Sequence, residues 1–207
     1  MSYGTFSALG ALPLQKLTEQ FASLPGIGRK TAGRLAFHIL TLSKNQAQEF
    51  ADSIMEAHQK IKQCSVCKNY TENDICNICS DEHRDKSIIC VVEDSKDIVA
   101  FERTRKYNGT YHVLGGLISP MDGISPDQLY IKELLSRVTS QNIKEVIMAQ
   151  NPTVEGEATA IYLFKLLTPF GIKITRLAFG IAVGCDLEYT DEITLYKSLE
   201  NRQGIVL

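Results

Sequence analysis

Four cysteines arranged as two Cys-x-x-Cys pairs constrain the fold of this 207-residue chain more than any other feature of its sequence. Cys64 and Cys67 form the first pair, and Cys76 and Cys79 form the second after a loop of eight residues. A short loop between two such pairs can bring four thiolates to the corners of a tetrahedron, which is the coordination of Zn²⁺ in structural sites. The spacing therefore predicts a zinc-binding module in the first half of the chain.

Other roles for these cysteines fit the spacing less well. They could instead form two redox pairs or be unrelated buried thiols, but cysteine pairs at such short intervals are hard to explain without a metal. Four thiolate ligands leave no open position for water, so we expect the zinc ion to stabilise the fold and not to catalyse a reaction. His83 is expected to be a polar surface residue, and Cys90 and Cys185 are expected to be buried or loop thiols.

Length and composition are those of a water-soluble globular protein. With 44% hydrophobic residues, the chain can bury the core of one domain with small modules attached. It has no apolar run of about 18 residues, and its first residues lack the pattern of a secretory signal peptide. We therefore expect a cytoplasmic protein that does not bind membranes, and in that compartment paired thiols bind metals more often than they form disulfides.

The net charge of −2 conceals an uneven distribution of charge along the chain. Residues 1–62 contain seven Lys or Arg and four Asp or Glu, whereas residues 63–207 contain 15 and 20. A basic first segment followed by an acidic remainder indicates that only the first segment faces a polyanion.

Hydrophobic periodicity divides the chain into a helical front and an α/β body. Residues 12–22, a segment after Gly28 and residues 47–61 have apolar positions three and four apart, which predicts three helices. After the cysteines, short β-rich runs alternate with helical ones, a pattern typical of a parallel sheet with crossover helices. We predict strands at 87–92, 111–114, 145–149 and 173–177, helices at 96–105, 127–139, 155–168 and 192–199, and an apolar tail at 205–207.

A glycine-rich connection, Leu-Pro-Gly-Ile-Gly, links the first two predicted helices. Its glycines, Gly26 and Gly28, lack side chains, so their amides can approach a phosphate together with the positive end of the second helix. Arg29, Lys30 and Arg34 follow on that helix, where Lys30 and Arg34 share one face. The arrangement resembles the helix-hairpin-helix motif, which binds the nucleic-acid backbone without reading the base sequence. We therefore predict that these five residues bind DNA.

The same connection has two other interpretations. It could be a glycine-capped turn in a helical bundle whose basic residues are only solvated, but loop, spacing and charge agree in favouring phosphate binding. The run from Gly28 to Thr31 superficially matches the end of a P-loop, yet Arg29 replaces the glycine before the lysine, and a helix precedes the loop where a P-loop has a strand. Because contacts with the DNA backbone are electrostatic, we expect affinity to fall steeply with added salt.

Acidic and polar side chains follow two of the predicted parallel strands. Glu93 ends the first strand, and residues 150–157 follow the strand predicted at 145–149. Open α/β sheets build their sites at these carboxyl ends. The two segments resemble the Toprim domain of topoisomerases, primases and recombination proteins, in which a glutamate after the first strand acts beside an Asp-x-Asp-x-Glu-Gly-Glu stretch that holds Mg²⁺ for phosphodiester chemistry.

The Asp-x-Asp stretch is where this sequence departs from the catalytic Toprim pattern. Aligned on the Glu-Gly-Glu stretch, the two aspartates become Asn151 and Thr153, so a neutral amide and a hydroxyl replace two anionic ligands. We expect Glu93, Glu155 and Glu157 alone to be unable to support magnesium catalysis, and we predict that they bind a protein partner. The alternatives are that these glutamates are only solvated or that they retain weak metal chemistry.

The order of the modules, a helix-hairpin-helix, a four-cysteine zinc site and a degenerate Toprim domain, resembles that of the RecR family of bacterial recombination mediators. Further segments extend the resemblance over nearly the whole chain: Cys76-Asn77-Ile78-Cys79, Ile89-Cys90-Val91-Val92-Glu93, the loop 115–124, the segment 151–159 and Asp186-Leu187-Glu188-Tyr189. Cys185 is a departure, because the family pattern has a second glycine after Val-Gly at this point. This departure concerns the local turn geometry and not the function.

The resemblance implies a non-catalytic DNA-binding protein of recombinational DNA repair. Such a protein works with RecO and RecF to help load the RecA recombinase onto gapped DNA covered by single-strand-binding protein. Family members form dimers that close into a ring-like tetramer able to surround DNA. By resemblance, Lys30 and Arg34 face the inside of the ring, and Glu155 and Glu157 belong to the acidic surface that docks RecO.

The predicted fold class is α/β with four segments. These are a helix-hairpin-helix module at 1–62, a four-cysteine zinc finger at 63–86, a Toprim-type parallel-sheet domain at 87–180 and a C-terminal interaction segment at 181–207. The main functional hypothesis is a DNA-binding mediator that is not an enzyme. The competing hypotheses are a magnesium-dependent Toprim nuclease or topoisomerase-like enzyme, and a scaffold whose basic segment is incidental.

Overall fold

The computed structural model describes residues 11–204, and the chain divides into two compact units, Met1–Lys60 and Ile61–Leu207. The first unit is helical and the second combines helices with a parallel sheet, so the predicted α/β class is confirmed. The apolar tail predicted at 205–207 lies outside the described residues. Within them, no helix is both long enough and apolar enough to cross a membrane.

The described part of the first unit contains three helices, α1 (Leu12–Ala22), α2 (Arg29–Thr41) and α3 (Lys44–Lys60). A proline in the first turn of α1 suits a helix start, because the backbone N–H that it lacks would have no partner within the helix. Helix α1 packs on α2, and the buried residues of this pair are the small side chains of Thr18, Ala32 and Ala36. The Thr18 hydroxyl donates a 2.8 Å hydrogen bond to the Leu14 carbonyl, so its polar group is satisfied.

Helix α3 has a well-defined start but buries none of its side chains. The Ser43 hydroxyl accepts a hydrogen bond from the Gln46 amide at 3.3 Å, and the Gln46 side chain accepts one from the Ser43 amide at 3.0 Å. This capping pair starts the helix three residues earlier than the apolar repeat predicts. Phe50, Ile54 and Met55 on α3 remain about half exposed. We call these three residues the α3 apolar stripe.

The second unit begins with the segment that carries the four cysteines. Strands β1 (Lys62–Gln63) and β2 (Tyr70–Thr71) pair in antiparallel fashion on either side of the first cysteine pair. Lys68, between these strands, has a φ of 64°, a left-handed conformation that turns the chain sharply after Cys67. The second pair begins at Cys76, the N-cap of the short helix α4 (Asn77–Ser80). Each pair is therefore held in a tight local turn.

Four parallel strands form the sheet of the second unit, in the order β4-β3-β5-β6. The strands are β3 (Asp85–Val92), β4 (Gly109–Val113), β5 (Glu145–Met148) and β6 (Lys173–Arg176). The helices are α5 (Ser95–Thr104), α6 (Ile131–Ser140), α7 (Val154–Leu167) and α8 (Glu192–Glu200). The main core joins Ile89, Val91 and Val146 of the central strands to Leu134 of α6 and Leu163 of α7. The other face of the sheet packs against Ile98 of α5, so the second half of β3 is buried on both faces.

The outer edge of β4 is closed by side chains and by the cysteine segment. Three hydrogen bonds do this: Arg84 to the Gly109 carbonyl (3.2 Å), Arg137 to the Tyr111 carbonyl (2.6 Å) and the Val113 amide to the Cys67 carbonyl (2.9 Å). The backbone groups of an edge strand are otherwise available to pair with another chain. The cysteine segment thus covers this side of the sheet in place of a fifth strand.

The predicted strands and most of the predicted helices of the second unit agree with the structure to within two residues at each end. Helix α6 is the exception, since it begins at Ile131 and not at residue 127. A separate 3₁₀ turn, Pro126–Gln128, precedes it and has its own capping pair between Ser125 and Gln128. The helical spacing of polar and apolar residues continues across both elements, so the sequence pattern does not show where one ends and the other begins.

Candidate zinc centre and nucleic-acid interface

The four cysteine thiols converge in the structure. Their Sγ atoms all lie within 4.8 Å of one another, and those of Cys67 and Cys76 are 3.5 Å apart. A tetrahedron with zinc–sulfur bonds of about 2.3 Å has sulfur–sulfur distances of about 3.8 Å, so the cluster fits a zinc ion. The Cys76 amide also donates a hydrogen bond to the Cys64 sulfur at 3.3 Å, which favours the thiolate that a metal requires. The cluster is therefore a structural zinc site.

Hydrogen bonding between the thiols shifts their pKa values in opposite directions. The contact between the Cys67 and Cys76 sulfurs lowers the pKa of Cys76 and raises the pKa of Cys67. Cys64, Cys67 and Cys76 are almost completely buried, and a buried anion without compensation is unfavourable. The electrostatics of the site therefore favour a bound cation.

The remaining cysteines and the nearby histidine lie apart from the cluster. Cys90 is buried in β3, and burial raises the pKa of its thiol to about 12, so the thiol stays protonated and unreactive. Cys185 is an exposed residue in the segment between β6 and α8. His83 is also exposed and belongs to no metal-binding cluster of the described residues. These positions agree with the prediction that none of the three is a zinc ligand.

Gly26 and Gly28 lie in an open connection between α1 and α2. Gly26 has a φ of 77°, a left-handed conformation that favours glycine, and Gly28 is the N-cap of α2 without a side-chain cap. A Cβ atom on either glycine would meet no other atom of the described chain within 4 Å. The N-terminal end of α2 is therefore approachable, and its free amides and positive dipole end can receive an anion.

Three basic side chains, Arg29, Lys30 and Arg34, lie on the first two turns of α2. All three are exposed, and within residues 11–204 none forms an ion pair or a side-chain hydrogen bond. Lys30 and Arg34 are one helical turn apart and share a face. We call these three residues, with Gly26 and Gly28, the hairpin site. Its donors are suited to phosphate groups and include nothing that would distinguish one base from another.

The carboxyl ends of β3 and β5 bring together the acidic and polar residues that the sequence singled out. The side-chain amide of Asn151 donates a hydrogen bond to the Glu93 carboxylate at 2.8 Å. The Thr153 hydroxyl caps α7 by accepting a hydrogen bond from the Gly156 amide at 3.1 Å. Gly156 is required here, because a Cβ atom on it would lie 1.9 Å from the Asn151 carbonyl oxygen. Both residues that replace aspartates therefore bind groups of the protein itself.

The two glutamates in the first turn of α7 have different surroundings. Glu157 forms a two-bond pair with the Arg176 guanidinium, at 2.5 and 3.2 Å, and that guanidinium lies 4.3 Å from the centre of the Phe179 ring. The Glu155 carboxylate is exposed and has no partner among the described residues. We call Glu93, Asn151, Thr153, Glu155 and Glu157 the Toprim site. Glu155 alone among its glutamates offers an unpaired carboxylate to another molecule.

Two residues beside the Toprim site were missed by sequence reasoning. Arg176 pairs with Glu157 although 19 residues separate them, and Gln150 donates a 3.0 Å hydrogen bond to the Val91 carbonyl of the neighbouring strand. The only signal for Arg176 was its place near the end of the strand predicted at 173–177, because parallel strands bring their carboxyl ends to one edge. That this strand lies beside β5 is seen only in the structure. Gln150 lies in the segment 150–157 that the sequence singled out, but no pattern in that segment predicted its hydrogen bond.

The Toprim site does not assemble a set of metal ligands comparable with the zinc centre. Within residues 11–204, the four cysteines are the only cluster of three or more His, Cys, Asp or Glu side chains close enough to share an ion. Glu93 is bound by an amide and Glu157 by a guanidinium, whereas Mg²⁺ requires several oxygen ligands in near-octahedral geometry. Two of the three glutamates are therefore held by internal donors, and the third lies on the surface beside them.

Comparison with protein-family models gives four matches that follow one another along the chain. Residues 14–58 match the model described as "RecR, helix-hairpin-helix", and residues 61–81 match the model of the RecR zinc finger domain with four cysteines. Residues 87–178 match "Toprim domain", and residues 180–203 match "RecR, C-terminal".

Curated relatives are similar over nearly their whole length. The Recombination protein RecR of Heliobacterium modesticaldum is 53% identical over 195 residues, which cover 94% of this chain and 98% of that protein. The Recombination protein RecR of Moorella thermoacetica is 55% identical over 193 residues, which cover 93% of this chain and 97% of that protein. The similarity therefore extends through all the modules and is not confined to one motif.

Proposed function

Because this chain belongs to the RecR family, we propose that it is a recombination mediator that binds the DNA backbone through the hairpin site and has no catalytic activity of its own. The observation that carries the proposal is the hairpin site itself. There, exposed cations that have no partner among residues 11–204 lie beside the uncapped start of a helix, where none of the described side chains obstructs the approach of a phosphate.

Phosphate binding by the hairpin site follows from three properties that act together. The N-terminus of α2 has backbone donors without a side-chain cap, and the helix dipole adds positive potential there. Lys30 and Arg34 extend this potential along one face of the helix. Such contacts are the same for every base sequence, so we propose binding that is independent of sequence and strongly dependent on salt.

The absence of catalysis is proposed from the internal pairing at the Toprim site. A magnesium ion would need carboxylates where the side chains of Asn151 and Thr153 instead bind Glu93 and the start of α7. Glu157 is paired with Arg176, so binding a metal would also require breaking that pair. These contacts support a Toprim domain that has become a binding surface.

We propose further that the Toprim site is the surface for protein partners of the recombination pathway. By family membership these partners are RecO and RecF, and the outcome of their joint action is the loading of RecA onto gapped DNA in the cytoplasm. The unpaired Glu155 carboxylate supports this, because it is free to pair with a basic group of a partner. Glu93 and Glu157 would contribute negative potential while remaining held by their internal donors.

The α3 apolar stripe supports the proposal that the chain assembles into dimers and a ring-like tetramer. A soluble protein seldom leaves several large apolar side chains of one helix half exposed unless another surface covers them. We propose that a second copy of the chain does so. We also retain the division at 1–62, 63–86, 87–180 and 181–207 as the proposed modules, with the last segment contributing to interactions.

The experiment that tests DNA binding is titration of a fluorescent duplex containing a single-stranded gap, followed by anisotropy over a series of salt concentrations. The double variant Lys30→Ala and Arg34→Ala is expected to lose roughly 50-fold in affinity at 0.1 M salt and to reduce the salt slope by about two. The matched control is Arg103→Ala with Lys106→Ala, which removes the same charge from exposed positions of the second unit. Equal affinities for the wild type and the hairpin variant at moderate salt would contradict the proposal.

A nicking assay tests the absence of catalysis separately. Supercoiled plasmid incubated with the pure protein and Mg²⁺ is expected to remain intact. Cleavage that disappears in the Glu93→Gln variant would instead establish the enzyme hypothesis.

A further inference from the structure

The zinc centre creates an electrostatic problem that its four ligands do not solve. Four thiolates around one Zn²⁺ leave two negative charges in a cluster whose first three cysteines are almost completely buried. Buried charge is unfavourable unless an opposite charge or hydrogen-bond donors lie nearby. Some group of the protein should therefore compensate the loaded site.

Arg137 on α6 is a buried cation that lacks a carboxylate partner among the described residues. The residue is only 7% exposed, and its guanidinium donates hydrogen bonds to the Tyr111 carbonyl at 2.6 Å and to the Thr110 hydroxyl at 3.3 Å. Both acceptors are neutral, as is the His112 ring, whose Nδ1 atom lies 3.4 Å from the guanidinium. The Nε atom of Arg137 has no hydrogen-bond partner among the described residues. An arginine is normally buried only with an anion, so the nearest source of negative charge needs to be identified.

The zinc ligands are that source. On the outer edge of β4, Arg137 binds the backbone of Tyr111, and Cys67 binds the backbone of Val113 two residues further on, a separation of about 7 Å along the strand. Cys79 and Arg137 also line one cavity of about 460 Å³. Burial lowers the pKa of Arg137, and the negative charges of the four cysteines oppose this effect, while the guanidinium stays protonated.

We propose that Arg137 is the buried counter-ion of the zinc–thiolate centre and that it links zinc affinity to the packing of α6 against β4. Lys68 is less suited to this role although it follows a zinc ligand directly, because its ammonium group already pairs with Glu133 at 3.4 Å. Among the described residues, Arg137 has no such competing carboxylate. Its charge is therefore available to the zinc centre.

The experiment measures zinc affinity by competition with a chromophoric chelator, using the full chain at fixed pH. Arg137→Met is expected to weaken zinc binding by about 10- to 100-fold, the usual effect of losing a group that supports metal ligands. Arg137→Lys keeps the charge and is expected to remain within a few-fold of the wild type. The absorption spectrum of the Co²⁺-substituted protein is expected to stay that of four thiolates in each variant.

Arg84→Met is the matched control for fold effects. Arg84 also donates a hydrogen bond to an outward carbonyl of β4, that of Gly109, but its charge is paired with Glu102. Its removal should reduce stability without changing zinc affinity. Zinc affinity of Arg137→Met within twofold of the wild type, or equal weakening in Arg84→Met, would overturn the proposal.

A second pair of variants keeps the test decisive if Arg137→Met fails to fold. Arg137→Gln retains polar donors but has no charge, whereas Arg137→Lys retains the charge with fewer donors. If charge compensation is the role, the Gln variant binds zinc at least about tenfold more weakly than the Lys variant. Equal affinities of the two would mean that Arg137 only seals the strand edge.

Discussion

The hairpin site and the Toprim site differ in whether their polar groups have partners within the protein. At the Toprim site, Asn151 binds Glu93, Thr153 caps α7 and Arg176 binds Glu157. At the hairpin site, the cationic side chains and the start of α2 have no partner among the described residues. The difference teaches that motif ancestry alone does not identify a working site. We expect a site for a phosphate ligand to leave its donors free, as the hairpin site does, whereas most of the groups that would hold a metal ion at the Toprim site have partners within the protein.

Two glycine substitutions, one at each site, test this contrast, and one of them is expected to cause the largest loss of stability. Gly156→Ala would place a methyl group 1.9 Å from the Asn151 carbonyl oxygen, so we expect a loss of roughly 3 kcal/mol in the free energy of unfolding. Gly28→Ala would meet nothing among the described residues, and its backbone φ of −74° suits alanine, so stability should change by less than about 0.5 kcal/mol. Urea denaturation measures both.

Only the Gly28→Ala variant is expected to change the affinity for DNA. The methyl group of Gly28→Ala would occupy the space that a phosphate needs, so affinity for gapped DNA is expected to fall while the fold remains intact. The contrast would be wrong if Gly156→Ala were as stable as the wild type, or if Gly28→Ala bound DNA normally.

The zinc finger and the strand positions are the parts of the molecule that the sequence predicted well. Both depend on spacing within short segments, so Cys64 to Cys79 could be assigned a cluster and the four strands could be placed to within two residues. The replacement of aspartates by Asn151 and Thr153 was also visible. The hydrogen bonds that these two residues form in place of metal coordination could not be predicted from the sequence. Their partners come from another strand or from the backbone of the next helix.

Arg137 and Arg176 show why the rest was out of reach. Arg176 acts on a glutamate of α7, and Arg137 closes a strand that lies 26 residues earlier in the chain. Such pairings are set by the packing of the sheet, which no local pattern encodes. For Arg137 there was one indirect signal, since it lies three residues after the buried Leu134 and is a basic residue on an apolar face.

His112 is a polar side chain in the interior of the second unit that is also bound from within the protein. Its protonation is expected to give the next largest change in stability. Burial and the nearby Arg137 lower the pKa of His112 to about 3, so its ring is neutral and donates a hydrogen bond from Nε2 to the Tyr130 carbonyl at 2.7 Å. The unfolded chain takes up this proton near pH 6.5, whereas the folded protein does not until about pH 3. Stability should therefore fall as the pH falls through this window.

The expected size of this effect is about 2 kcal/mol between pH 7.5 and pH 5. The charged groups that face the ring are Arg137 of α6 and Lys68 of the zinc finger. The loss of stability is measured by denaturing the wild type and the His112→Asn variant at both pH values with saturating zinc. An equal loss of stability in both proteins would show that His112 is not the acid-sensitive group.

Restoring a carboxylate at the Toprim site tests whether Asn151 stands in for a ligand. Asn151→Asp would lose the hydrogen bond to Glu93 and set two like charges against each other, so we expect a loss of about 1.5 kcal/mol at pH 7 in the presence of a chelator. Added Mg²⁺ should recover part of this loss in the variant and change the wild type little. Asn151→Ser is the control that removes the bond without adding charge. A variant as stable as the wild type without Mg²⁺ would contradict the assigned role.

The exposed pair of Glu157 and Arg176 gives the smallest effect. Arg176→Ala should reduce stability by less than about 1 kcal/mol, because solvent screens the pair and half of the arginine side chain is exposed. The loss should shrink further in about 0.5 M salt. Lys165→Ala, at an exposed position of the same unit, is the control for loss of charge alone. An effect well above about 1 kcal/mol would mean that Arg176 supports the Toprim site more deeply than its exposure indicates.

The hydrogen bonds that close β4 also determine the direction in which the sheet can grow. With the β4 flank occupied by the zinc finger, we expect a strand from another polypeptide to pair along β6, at the opposite flank, if it pairs with this sheet at all. A sheet with a single receptive margin can accept one neighbour but cannot serve as a repeating unit of an endless ribbon. We therefore expect a bound zinc ion, by holding the finger in shape, to limit strand-by-strand polymerisation at the β4 edge.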